Sequence, residues 1–121
     1  MREGRRPQGL TRLRLATLNS LRGLRHCYHS EAAFRQEVWL ACVLVPAGVW
    51  FGESGAERAL LVGAMLVVLI VELLNTGIEV VVDRISTEHN HLSGFAKDLG
   101  STAVFFSLLL LGVTWALVLL A

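Results

Sequence analysis

Residues 71–84 read VELLNTGIEVVVDR. Glu72, Asn75, Glu79 and Asp83 recur every three or four positions, so on a helix they share one face. Their neighbours are Leu, Val and Ile, and the stretch closes a longer apolar run, Ala59–Val82. Placing a charge in hydrocarbon costs about 2.5–3.5 kcal/mol even on the lenient insertion scale. A stripe of polar groups therefore belongs in a protein interior or a polar cleft, and carboxylates inside a membrane span mark a functional site by default.

The rest of the chain is read around that span. With 121 residues it is one domain, and its apolar content of 54% and mean hydropathy of +0.57 are too high for an ordinary soluble domain of this size. Leu99–Ala121 carries no formal charge and forms a second span, expected over 92–120, with Ser93 and Gly94 suited to its start. Val38–Phe51 is short for a span, but EAAFRQE (31–37) continues as helix and brings it to membrane length over 32–52, with Pro46 as a kink point. The acidic span is expected over 57–84. GESGAER (52–58) is a tight turn, and residues 84–98 form a polar connection that holds Lys97 and Asp98. An amphipathic surface helix is expected over 8–30, with Leu10, Leu13, Leu21, Leu24 and Tyr28 on one face and arginines on its flanks. Residues 1–8 are polar and expected to be disordered. No compact apolar core with a small-residue cleavage site marks a signal peptide.

Eight of the ten arginines precede residue 36. No basic patch with interleaved aromatics follows, so this charge suits an anionic membrane surface and not nucleic acid. Counting Lys and Arg near the spans puts the N-terminus and the 84–98 connection in the cytoplasm, with the 52–58 turn and the C-terminus outside. Cys27 and Cys42 match no zinc or redox spacing and are read as packing residues; His89 and His91 lack the further convergent ligands of a zinc site. Trp39, Trp50 and Trp115 are read as interface or packing residues, and Gly63 and Gly77 as points of close helix approach.

Carboxylates near a water boundary suit a hard cation such as Mg²⁺, which shares its shell with waters and substrate phosphates. No GxxxxGK[ST] or GxGxxG is present, so a nucleotide enzyme of this kind is neither a P-loop nor a protein-kinase fold. The segments EAAFRQE (31–37), VELLNTGIEVVVDRIS (71–86) and LSGFAKDLGSTAV (92–104), in this order and spacing, resemble the signatures of the prokaryotic membrane-integral diacylglycerol kinases, and are nearer the Gram-negative type than the related undecaprenol kinases.

That resemblance implies an all-α integral membrane protein of the bacterial inner membrane. It would be a homotrimer with three transmembrane helices and one surface helix per subunit, and with active sites between subunits. It implies transfer of the ATP γ-phosphate to the hydroxyl of diacylglycerol, with Mg²⁺, giving phosphatidic acid. Carried over by position, Glu72 is the catalytic base, and Glu31 and Glu79 are the metal carboxylates. Arg12, Asn19, Asn75, Glu88, His89, Asn90, Lys97 and Asp98 belong to the nucleotide site; Arg12 also borders the substrate, with Arg35, Gln36 and Ser101. Where the family usually reads G-R-A-K-D, this chain has Gly94-Phe95-Ala96-Lys97-Asp98. The alternatives are an undecaprenol kinase of the same family, a small proton-coupled transporter with Glu72 exchanging protons, and a non-catalytic assembly subunit.

Overall fold

The computed structural model describes residues 8–85 and 87–121, so the expectation of disorder before Gln8 lies outside the described residues. It is all-helical: α1 (Gly9–Ser30), α2 (Ala32–Phe51), α3 (Gly55–Ile85) and α4 (His91–Leu120). The last three are long and apolar enough to cross a membrane, and the chain is a multi-pass membrane protein.

The buried residues of α3 follow one seam: Leu61, Met65, Val68, Glu72 and Asn75 in three- and four-residue steps, with Ala64 beside them, and Val82 two such steps further on. Its lower half is apolar, and with Ala41 of α2 and Leu111 of α4 it makes the core. Its upper half turns polar at Glu72. Gly63 and Gly77 lie off this seam, and no close neighbour faces either of them. The close approaches are elsewhere. A Cβ on Gly48 of α2 would sit 3.1 Å from Leu61 Cβ, and one on Gly100 of α4 would collide with Asn75 Oδ1.

Three contacts fix α4 antiparallel to α3. Asp83 pairs with Lys97 at 2.8 Å, Asn75 abuts Gly100, and Trp115 Nε1 donates to Leu61 O at 3.1 Å. At the Leu61 end the α2–α3 turn is closed by a capping arrangement. Ser54 Oγ accepts from Glu57 N at 3.1 Å, and Glu57 reaches back to Glu53 N at 3.3 Å. Arg58 Nε then donates to Val49 O at 3.1 Å, satisfying a carbonyl in the last turn of α2.

Two sequence expectations are corrected. Residues 32–37 of EAAFRQE are helical as expected, and the boundary between 8–30 and 32–52 falls where it was placed, but Glu31 itself is not helical: it is extended (φ −116°, ψ 108°) and separates two helices. The spans expected over 57–84 and 92–120 hold to within about two residues, so the polar connection is shorter than 84–98. Helix α3 runs to Ile85, and α4 begins at His91, ahead of Ser93 and Gly94. Asn90 sets that start, because its side-chain oxygen accepts from Leu92 N at 2.8 Å and Ser93 N at 3.4 Å. Lys97 and Asp98 therefore ride on the second turn of a helix.

Candidate active site

The polar half of the α3 seam, the α1–α2 junction and the first turns of α4 meet at one end of the molecule. Glu72 is 7% exposed and Asn75 9% exposed, although both stand in an otherwise apolar helix. Glu79 is half-buried one turn further on, and Asp83 is exposed beyond it. The acids thus run from a closed interior toward an open end.

Asn75 Nδ2 donates to Glu79 Oε1 at 3.3 Å. A carboxylate only accepts, so this bond fixes which way the carboxamide faces. Asn75 Oδ1 then lies against the α4 backbone at Gly100 and is buried without a hydrogen-bond partner. Glu31 and Glu79 both lie within electrostatic range of Glu72. Glu37, on the second turn of α2, is there too, and its Oε2 is buried without a partner. Unpaired buried oxygens are rare in folded proteins and need an explanation.

Glu37 was not singled out from sequence. It sits in EAAFRQE among polar neighbours, and only the packing of α2 on α3 turns it inward. Cys27 was read as packing, which understates it: it is the buried residue of α1 and contacts Thr76 of α3, Sγ to Oγ1, at 3.9 Å. Burial pushes the Cys27 thiol up, so it stays protonated and able to donate.

The remaining sequence candidates separate into groups. Lys97 pairs with Asp83 and feels Glu79. Together with Glu88, His89, Asn90 and Ser93 this pair lines a polar pocket of about 250 Å³ at the α3–α4 end, and Asp98 borders an adjoining pocket with His89, Asn90 and Phe95. Asn19 lies in a separate cleft of about 740 Å³ between α1 and α3, with Arg22, His26, Cys27 and Thr76. Arg12, Gln36 and Ser101 are exposed, and among the described residues they line none of these pockets. Arg35 does not pair with Glu31 at i, i+4; its Nη1 donates to the Tyr28 and His29 carbonyls at 2.8 and 3.3 Å.

Among the described residues no cluster of three or more His, Cys, Asp or Glu is placed to hold a metal by itself. Glu31 and Glu79 still offer the oxygen donors that a hard divalent cation takes when phosphates and water complete its shell.

A profile of the family described as prokaryotic diacylglycerol kinase matches residues 18–119. The chain belongs to the prokaryotic diacylglycerol kinase family. It is 49% identical over 112 residues to the diacylglycerol kinase of Pseudomonas aeruginosa, covering 93% of this chain and 91% of that one. Against the diacylglycerol kinase of Haemophilus influenzae it is 47% identical over 107 residues, covering 88% and 91% of the two chains. Against that of Escherichia coli K12 it is 42% identical over 111 residues, covering 92% and 91%. Family membership sets the acidic seam apart from a transporter's proton site or a scaffold's polar glue, and neither alternative is favoured.

Proposed function

We propose that this protein is an ATP-dependent diacylglycerol kinase of the bacterial inner membrane, with a cytoplasmic N-terminus, a periplasmic C-terminus and Glu72 as its catalytic base. The observation that carries this reading is the burial of Glu72, 7% exposed in an otherwise apolar helix, and its level along that helix supports the same reading. The charge-free part of α4, Leu99–Leu120, is 22 helical residues, or about 33 Å, close to the roughly 30 Å of bilayer hydrocarbon. Gly100, one residue inside that run, rests against Asn75. In this reading Asn75 lies at the hydrocarbon boundary and Glu72 about 4.5 Å deeper. A diacylglycerol hydroxyl sits at this level. Glu79, Asp83 and Lys97 stand on the water side, where a nucleotide arrives.

In this reading the Glu72 carboxylate takes the proton of the lipid hydroxyl. The hydroxyl oxygen forms a bond to the γ-phosphorus, the bond from that phosphorus to the β–γ bridging oxygen breaks, and ADP leaves. Glu31 and Glu79 hold Mg²⁺, which when bound neutralises phosphate charge. Asn75 keeps Glu79 in place through its carboxamide. Lys97, Asp98 and the Glu88–Asn90 turn meet the nucleotide, and Gln36 and Ser101 the lipid.

Arg12, Asn19, Gln36 and Ser101 do not converge on Glu72 within one chain, and only 11% of the α4 apolar window is buried inside it. The first observation supports an assembly whose sites are completed by a neighbouring subunit, for which the resemblance implies three copies; the apolar face of α4 can meet either lipid or that neighbour. Leu10, Leu13, Leu21 and Leu24 of α1, all exposed, support α1 lying on the membrane surface with those leucines in lipid.

The test is purified protein in mixed micelles with Mg-ATP labelled at the γ-position, given diacylglycerol and undecaprenol in parallel. Labelled phosphatidic acid is the expected product. Label only in undecaprenyl phosphate would move the acceptor to the other branch of the family, and no labelled lipid would refute the kinase reading.

A further inference from the structure

The α1–α2 elbow turns on a single extended residue, Glu31. A helix end leaves carbonyls without partners, and at the end of α1 these are taken up by the linking residue and by α2. Cys27 O accepts from Glu31 N at 2.9 Å, while the Tyr28 and His29 carbonyls accept from the Arg35 guanidinium. The guanidinium carbon also lies 6.0 Å from the centre of the Tyr28 ring. From the next turn of α2, Trp39 Nε1 donates to the Tyr28 hydroxyl at 2.9 Å. Arg35 and Trp39 thus grip the last turn of α1 from two sides, and Glu31 sits in the bend between them. Along the rest of its length α1 is exposed, and it meets α3 through Cys27 and Thr76.

We propose that Arg35 is a positioning residue: it sets the angle at which α1 leaves α2 and so holds Glu31 beside the acidic seam of α3. A planar cation suits this place. It bonds two adjacent carbonyls, opposes the negative end of the α1 dipole and faces an aromatic ring, which an ammonium group does less well. With its donors directed at the α1 backbone, Arg35 acts on the reaction through Glu31 and not by contact with lipid. The inference rests on the kinase reading only where Glu31 is taken as a metal carboxylate; the elbow itself can be read without activity.

The experiment therefore has two arms. In the first, Thr76→Cys is introduced beside native Cys27, with Cys42→Ser to remove the other thiol, and oxidation is followed by counting free thiols. Rapid cross-linking is expected, slowed several-fold by Arg35→Ala, less by Arg35→Lys and less again by Trp39→Phe, at unchanged helical content by circular dichroism. In the second arm, made in the natural background, Arg35→Ala raises the Mg²⁺ concentration for half-maximal rate about tenfold, the scale for losing an outer-shell support of a metal ligand. The diacylglycerol KM stays within about twofold in that variant, because no lipid contact is lost.

Cross-linking that ignores Arg35→Ala overturns the proposal. So does a raised diacylglycerol KM with an unchanged Mg²⁺ requirement, which would make Arg35 a substrate contact. A parent protein without kinase activity would sink the kinase reading, while the cross-linking rates would still decide whether Arg35 holds the elbow.

Discussion

Gly100→Ala is the substitution through which the structure speaks most sharply. In a helix the change from Gly to Ala is normally favourable by about 1 kcal/mol. Here the new methyl would collide with Asn75 Oδ1 and come 3.2 Å from Asn75 Cγ and 3.8 Å from Asn75 Cβ. Overpacking of this kind costs about 1–3 kcal/mol, and a displaced Asn75 also gives up its bond to Glu79, worth about 1 kcal/mol. The net loss of about 1–3 kcal/mol is well short of the 5–15 kcal/mol that holds a typical domain together, so the protein should still fold. Activity should suffer more, because moving a positioned group by about 1 Å can lower a rate about 100-fold. The assay is phosphatidic acid formation beside thermal unfolding in detergent. Gly112→Ala on the same helix is the control, since no close neighbour faces that position. A Gly100→Ala protein as active as the Gly112→Ala protein would refute the packing argument.

Further expectations concern other contacts of α4. Trp115→Phe removes the bond to Leu61 O, at the opposite end from the acids. It should lower stability by about 0.5–1.5 kcal/mol in an unfolding titration and leave kcat unchanged. Asn90→Ala removes the cap of α4 and should cost about 0.5–2 kcal/mol, with Asn90→Asp retaining most of it. Lys97→Met leaves Asp83 without its partner and takes a cation from the nucleotide end. It should raise the ATP KM at least about tenfold with little effect on the diacylglycerol KM; equal effects on both would place Lys97 elsewhere in the reaction.

Much of this arrangement could be read from the chain before folding. The spans follow from apolar runs and helix rise, and the seam follows from the three- and four-residue recurrence of Glu72, Asn75, Glu79 and Asp83. What could not be read depends on how one helix registers against another. Gly100 looks like any helical glycine until Asn75 lies opposite, while Gly63 and Gly77 attract attention only until the seam is seen to pass them by. The span expected over 92–120 already carried Lys97 and Asp98, although the same polar run was also read as a connection over 84–98. The signal that decides between them was present in Asn90, whose cap sets the helix start at His91. The expected bounds of 8–30 and 32–52 left Glu31 between two helices, but nothing in EAAFRQE shows that it turns extended there, with Arg35 bonded back to Tyr28 and His29. Glu37 points inward for a purely tertiary reason and left no mark in the local pattern.

The central claim is that a carboxylate sealed inside the third helix removes the proton from a lipid alcohol. The most direct measurement compares initial rates and Mg-ATP affinity for the natural protein and Glu72→Gln, an isosteric change that keeps the hydrogen-bonding outline but cannot act as a base. The account predicts a rate lower by about 10²–10⁴ with nucleotide affinity nearly unchanged. A Glu72→Gln protein that phosphorylates diacylglycerol at the natural rate would contradict it.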